Sequence, residues 1–419
     1  IGIDINPVAI ELSRLFANPP HAQDISDAFE SIRAQCSRQI NDSYSLSDSS
    51  VASHYLWDGN ELLTVWRKGG QGNAREELDP SRYDLELIKQ FEGYQPKGPR
   101  PMLFFANSRI NASPHLRLQD IFTGRALRNI DLIIEAISEF DERVRRALLL
   151  SLTSASGQMS KMVFAVSRRG KNSGKESRRV EVGSWVIGFW RPSKHFEINV
   201  WNCFQSRIKR LIDSLNNGTS RYGYEPSLDP ADVISGKIQI ALANVDSRSL
   251  LRTLPSESVA LVITDPPHGD RIPYLELSEI WNAILGYKAS FKDEIVISNA
   301  SERDKNVRNY NKDMRAVLDE ILRILKPDGI MALVFNARDA ASWSFLNDRL
   351  TGGAVMEFIG CFRMPYSARS VVQDNRTGAL REDFVLIFAK GPGPRRALER
   401  LLETTVPEWS TKMPRSGTE

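Results

Sequence analysis

The chain has 419 residues, 41% of them hydrophobic and 26% charged, with a formal net charge of +3. That length favours two domains, and that composition belongs to a globular protein rather than a disordered or fibrous one. No run approaches the ~18 uninterrupted apolar residues of a membrane span, and the nearly balanced charge makes no general case for a polyanion partner, so such a case has to come from local clustering.

The elements begin at once. Ile1-Gly2-Ile3 reads as the end of a strand. Asn6 is a good N-cap and Pro7 suits the first helical position, where its missing N–H costs nothing. Val8, Leu12, Leu15 and Phe16 then form an apolar stripe at helical spacing, closed by Asn18-Pro19-Pro20. Opening on the second half of a strand–helix unit, with no initiator Met, the chain is read as lacking what precedes Ile1. Residues 20–232 have another texture. Helical patterns cover Phe29 to Ile40, Ala126 to Phe140, Val144 to Ser156 and Asn199 to Leu215. Strand-like aromatic pieces lie at His54 to Trp57 and Ser184 to Trp190, with breaks at Gly69 to Gly72 and Gln95 to Pro101.

From residue 233 the pattern becomes regular α/β. Strands are predicted at Ile238 to Ala241, Val259 to Ile263, Ile330 to Phe335, Phe358 to Met364 and Phe384 to Ala389. Helices are predicted at Met314 to Leu325, stopped by Lys326-Pro327-Asp328-Gly329, and at Ser342 to Leu350. Alternation of this kind predicts a parallel sheet covered on both faces, and the last two strands, with no helix between them, predict an antiparallel pair at one edge. The tail after Lys390 is expected to be peripheral. Cys36, Cys203 and Cys361 have no paired spacing, and the histidines no ligand spacing. Neither disulfides nor a metal site are expected, and a reducing cytoplasm is.

In parallel sheets ligands bind beyond the carboxyl ends of the strands, so the polar residues just after each strand carry the chemistry. Three are acidic: Asp4, Asp246 and Asp265. Asp265 opens Asp265-Pro266-Pro267-His268-Gly269. A carboxylate and a backbone carbonyl, each accepting one N–H of an exocyclic base amine, favour the tetrahedral nitrogen that attacks a methyl group. Consecutive prolines fix φ and supply no donors, so such a loop can aim its carbonyls, and a flat ring at 268 can stack on an extruded base. The plain alternative is a rigid strand-exit turn. Asp4 is a candidate acceptor for ribose hydroxyls, with Ile5 beside it, and Asp246 for an adenine amino group. A loop carboxylate is the plain alternative for both.

With these residues in place a resemblance can be stated. Ile1-Gly2-Ile3-Asp4-Ile5-Asn6-Pro7 resembles the second cofactor motif of DNA amino-methyltransferases, and Val262-Ile263-Thr264-Asp265-Pro266-Pro267-His268 resembles their catalytic motif. Asp246 to Ala260 stands where their third motif belongs, and Lys326-Pro327-Asp328-Gly329 resembles the turn before their fifth strand. Phe122-Thr123-Gly124-Arg125, Glu197-Ile198-Asn199-Val200-Trp201 and Tyr274-Leu275-Glu276-Leu277 extend the likeness to a group of site-specific DNA methylases.

The resemblance implies a Rossmann-like class I methyltransferase sheet, lacking its first strand, over residues 1–19 and 233–392. A large mixed α+β insert over 20–232, between the second and third strands, would recognise the target, leaving 393–419 as tail. It implies S-adenosylmethionine as cofactor, held by Asp4, Ile5 and Asp246, with Asp265, Pro266, Pro267 and His268 handling a base flipped from double-stranded DNA. Adenine is preferred to cytosine, in a cytoplasmic enzyme of the restriction-modification kind. Two departures stand out: the glycine-rich first motif is absent, and His268 replaces the usual Tyr or Phe. The alternatives are a tRNA guanosine amino-methyltransferase, whose motif also has glycine after the aromatic, and a methyltransferase-fold protein that binds nucleic acid without catalysis. Finally, Arg168, Arg169, Lys171, Lys175, Arg178 and Arg179 lie among Gly and Ser with only Glu176 opposing them, a candidate phosphate-tracking loop or an ordinary solvated one.

Overall fold

The computed structural model describes residues 1–69, 75–97, 103–169, 176–185, 188–218, 223–267, 272–336, 340–352, 356–365, 382–391, 395–406 and 409–413. They form a mixed α/β protein of two compact units. Residues 1–5, 228–273 and 290–419 make a sheet unit, and residues 6–227 and 274–289 a helical unit. No helix among the described residues is long and apolar enough to cross a membrane.

The chain enters the sheet unit as β1 (Gly2–Ile3) and passes at Asn6 into the helical unit. Asn6 caps α1 (Pro7–Ala17), accepting from Val8 N at 3.3 Å, with Pro7 leading the helix as the sequence predicts. α2 (Ala22–Ile32) continues through a π turn at Arg33–Ser37 into α3 (Arg38–Asp42). β2 (Ala52–Asp58), β3 (Glu61–Lys68) and β4 (Arg75–Leu78) pair antiparallel. After α4 (Arg82–Lys89) and α5 (Leu118–Ile121) come the two core helices, α6 (Gly124–Ile137) and α7 (Glu142–Ser156). β5 (Ala165–Arg169) and β6 (Glu176–Val182) form a separate antiparallel ribbon. β7 (Lys194–Ile198) then pairs with β2 and leads into α8 (Val200–Asn217).

Residues 184, 185 and 188–190 are irregular where the sequence predicts a strand. Gly188 sits at φ +111°, and a Cβ there would lie 2.7 Å from the Ile110 carbonyl, which accepts from Phe189 N at 2.6 Å. The aromatics are seated singly, Phe189 against Phe104 and Trp190 against Phe164, instead of alternating across a pleat.

Two of the sequence motifs meet in this unit's core. The Arg125 guanidinium pairs with Glu197 at two points, Nε to Oε1 and Nη2 to Oε2 both at 2.9 Å, each side chain 1% exposed. Thr123 Oγ1 donates to the same carboxylate, and Arg125 Nη1 donates to the Ser43 carbonyl. The guanidinium also lies 4.4 and 4.3 Å from the ring centres of Tyr44 and Tyr55. Burial alone would raise the Glu197 pKa, but Arg125 outweighs it and holds the carboxyl below its ordinary range.

The sheet unit resumes with α9 (Pro230–Ile234) and β8 (Leu242–Ala243), which runs parallel to β1 with Gly2 opposite Leu242. The strand predicted at 238–241 therefore lies further on. The N–H groups of Lys237 and Ile238 are taken by the Asp232 carbonyl in the turn that closes α9, so the ladder starts only after them. α10 (Ser247–Leu251) and β9 (Val259–Thr264) follow. α11 (Tyr274–Leu277) and α12 (Glu279–Ile284) belong to the helical unit, where Glu276 is buried and accepts from Asn107 Nδ2 at 2.7 Å.

α13 (Val307–Ile324) leads into β10 (Leu325–Phe335), then α14 (Ala340–Leu350), β11 (Glu357–Pro365), β12 (Glu382–Ala389) and α15 (Arg395–Thr405). The predicted Lys326–Gly329 turn survives as a register shift inside β10, between Leu325 and Ile330. The order is β11-β12-β10-β9, with β9 parallel to β10 and β12 antiparallel to both its neighbours, the edge arrangement the sequence predicts. Leu318, Ile321 and Leu322 of α13 pack with Leu333, Trp343, Leu386 and Phe388 in one core, against which Ile3, Val259 and Val262 also rest. The tail is docked rather than peripheral. Leu398, Leu402 and Trp409 pack on Ile359, Ile387 and Ala389, and Cys361 and Ser410 exchange backbone hydrogen bonds of 2.7 and 2.8 Å.

Candidate functional site

Parallel pairing puts the candidate acidic residues at carboxyl ends. Beyond β1, Asp4 N donates to the Ala243 carbonyl at 3.2 Å, and Asn244 Nδ2 donates back to the Asp4 carbonyl at 3.0 Å. The two strand exits are thus tied through backbone groups, with the Asp4 residue exposed and Ile5 half-buried beside it.

Asp246 has a local task. It is the N-cap of α10, its Oδ1 accepting from Arg248 N at 2.9 Å and from Arg248 Nε at 3.0 Å. Oδ2 takes Arg248 Nε at 3.1 Å and Ser249 Oγ at 3.4 Å. Arg248 in turn reaches Asp313 of α13, Nη1 to Oδ1 at 2.5 Å, and donates from Nη2 to the Asp293 carbonyl at 3.1 Å. Burial works against the charge on Arg248, but the flanking carboxylates outweigh it and raise its pKa.

Asp265 follows β9 directly and is exposed, with Pro266 and Pro267 half-buried behind it. The Pro267 carbonyl accepts from the Tyr310 hydroxyl at 2.6 Å, across 43 positions of sequence. Among the described residues, none donates to the Pro266 carbonyl. Chemically, the strand exit presents a carboxylate and a carbonyl one residue apart, a pair suited to an NH₂ group. His268 lies outside the described residues.

The basic window is not a plain loop. Arg168 and Arg169 lie on β5 and Arg178 and Arg179 on β6 of the ribbon in the helical unit, with Arg169 opposite Glu176. Lys171 and Lys175 lie outside the described residues. The structure therefore ties together the exits of β1 and β8, joins the Asp246 and Asp265 loops through α13, and carries four of the six cations on a different unit.

Sequence reasoning does not single out Asn244, Arg248, Tyr310 and Asp313. Arg248 has a signal, standing two residues after a capping Asp. For Tyr310 and Asp313 the signal is Asn306, whose side chain accepts from Asn309 N and starts α13 two turns before its apolar stripe.

No family model matches the chain, and no curated protein matches it. Among solved structures it is similar to three crystal structures of a candidate DNA modification methylase from Thermus thermophilus. The selenomethionine derivative aligns with 16% identity and a TM-score of 0.22, over 40% of this chain and 58% of that one. A second structure aligns with 18% identity and a TM-score of 0.20, over 41% and 59%. The structure complexed with S-adenosyl-L-methionine aligns with 15% identity and a TM-score of 0.23, over 39% and 58%. The chain thus spans less than two thirds of the length of these structures.

Proposed function

We propose that the protein transfers a methyl group from S-adenosylmethionine to the exocyclic amine of a base in DNA, adenine in preference to cytosine. The observation that carries this reading is the β9 exit, where an exposed carboxylate and the Pro266 carbonyl stand one residue apart on a loop whose next carbonyl is held by Tyr310. A base amine has two N–H groups and a lone pair delocalised into its ring. Asp265 accepts one N–H and the Pro266 carbonyl the other, which draws the nitrogen out of the ring plane and frees its lone pair for attack. In this reading His268 stacks on the flipped base and Pro267 fixes the loop.

The residues at the other exits fit part of the cofactor. The Asp4 carboxylate suits the ribose hydroxyls, with Ile5 against the sugar, and Asp246 Oδ2 suits an adenine amino group. The methionine end requires close-approaching backbone of a kind the described exits do not provide. Bound S-adenosylmethionine supplies an electrophilic methyl group. A further element packed over β9 belongs to this reading, because Leu261 and Ile263, two residues apart on one face of the strand, are 52% and 71% exposed. The β5–β6 ribbon, with Arg168, Arg169, Arg178 and Arg179, and the Lys171 and Lys175 segment are the proposed phosphate contacts.

The test is methyl incorporation into DNA from tritiated S-adenosylmethionine, alongside calorimetric titration of the cofactor. Asp265→Ala should lower the rate by about 10²–10³ with cofactor affinity nearly intact. Near-normal incorporation by the variant sinks the assignment.

A further inference from the structure

We infer that the first two turns of α13 are a positioning element for both candidate loops, Tyr310 holding the Pro267 carbonyl that closes the target-side turn and Asp313, through Arg248, setting Asp246 on the cofactor side. This rests on the methyltransfer reading above and assigns two residues to it that the motif does not contain.

The torsions of the β9 exit make the case for Tyr310. Proline fixes φ at 266 and 267, and a following proline confines ψ of the residue before it, which covers Asp265 and Pro266. The soft torsions left in the tripeptide are φ of Asp265, where the strand ends, and ψ of Pro267. The second directs the Pro267 carbonyl, and a 2.6 Å hydrogen bond from a tyrosine only 5% exposed holds that carbonyl. Without it the loop keeps its covalent stiffness but loses the contact that selects how the chain leaves toward residue 268.

The case for Asp313 is electrostatic. Three residues on from Tyr310 it falls on the same side of the helix. It takes Arg248 Nη1 at 2.5 Å while Arg248 Nε lies between the two oxygens of Asp246 at 3.0 and 3.1 Å. These side chains are between 17% and 20% exposed, so the Asp313–Arg248–Asp246 chain is partly shielded from solvent. Arg248 is thereby held from both ends, and Asp246 keeps one orientation. Cap and ion pair together place the acceptor that the proposed cofactor site uses.

The two roles separate kinetically. Tyr310→Phe should lower kcat about tenfold, the order expected for one lost buried hydrogen bond, with KM for S-adenosylmethionine unmoved. Asp313→Asn should raise that KM several-fold with kcat little changed, and Asp313→Glu should restore it. A second readout is independent of turnover. With ¹³C-carbonyl proline, the Pro267 carbonyl resonance should shift upfield in Tyr310→Phe and stay in place in Asp313→Asn. Wild-type protein that transfers no methyl group overturns the proposed function, and the positioning roles with it. Active wild type with both variants lowering kcat and raising KM alike overturns the division of labour alone. An unmoved Pro267 resonance in Tyr310→Phe overturns the Tyr310 role whatever the kinetics.

Discussion

The two units place their charged residues differently. In the helical unit the deep charges meet one another: Arg125 with Glu197, and Arg146 with Glu11 at 2.6 Å. In the sheet unit Asp4 and Asp265 stand exposed at strand ends. The contrast is not absolute, since Arg303 and Glu294 of the sheet unit are a buried pair at 2.7 Å. It still separates two uses of charge. A buried carboxylate engaged by a guanidinium at both oxygens and by a hydroxyl is closed to a ligand, and its work is to specify a core. A carboxylate at an exposed strand exit is open to solvent, which in the proposed function puts it within reach of a substrate. Chemistry is therefore to be sought in the sheet unit, and the largest stability effects in the helical one.

The strongest way to break that comparison is to unpair the deepest charge. Glu197→Ala leaves Arg125 buried among Tyr44, Tyr55 and the Ser43 carbonyl, and should cost about 3–5 kcal/mol in urea-induced unfolding. Replacing both partners, Arg125→Met with Glu197→Leu, should cost markedly less, because no charge is then stranded. A loss below about 1 kcal/mol for the single variant would mean that water reaches the pair. The helical unit would then not be the closed core its burial indicates.

Legibility in the sequence follows physical range. The Asn6-Pro7 helix start and the β9, β11 and β12 strands are readable because caps and apolar runs act over a few residues. Asp265 is readable for the same reason, as a motif at a strand exit. β8 lies beyond its predicted place because two residues carry no period, and the turn closing α9 takes the N–H groups just ahead of it. The aromatic run at 184–190 has the composition of a strand, while Gly188 and the seat at Ile110 decide otherwise. Tyr310 is faint, signalled only by the Asn306 cap, because its hydrogen bond spans 43 positions and residues 307–313 carry no apolar stripe. Arg125 and Glu197 stand out only as parts of separate motifs, and the hint of their pairing is that each is a charge set within an apolar stretch.

A smaller effect sharpens the comparison through pH. His54 sits against Trp66 and Phe196, and burial, with Arg75 nearby, pushes its pKa from 6.5 down to about 4. In the unfolded chain it takes up a proton near pH 6.5. Between there and about pH 4 the unfolded state binds more protons than the folded one, so stability is full above 6.5 and falls with pH through that window. The loss attributable to His54 is at most about 3–4 kcal/mol. His54→Phe should flatten the stability profile over that window, measured by urea titrations at several pH values. An equally steep profile in the variant assigns the acid sensitivity elsewhere, with His195, whose pKa burial also lowers, as the next residue to replace.

The smallest expected effect lies at the edge of β9. Its sequence, the apolar Val259-Ala260-Leu261-Val262-Ile263 followed by Thr264, is that of a strand buried on both faces, yet among the described residues β9 stands at the end of its sheet. Edge strands are usually blunted by charge, proline or brevity, and this one has none of these within its six residues. Val259 and Val262 rest on the core, whereas Leu261 and Ile263 project into solvent. If that face is open, Leu261→Thr with Ile263→Thr removes little buried contact and should change unfolding free energy by less than about 0.5 kcal/mol. β-branched threonine preserves the strand preference, so the backbone ladder to β10 is retained. The same substitutions should lower self-association in sedimentation velocity, because an exposed apolar edge is a template for strand addition. A loss of about 2 kcal/mol or more would show that both side chains are covered in solution. That face of β9 would then already be covered, and the further element proposed over it would have no place to pack.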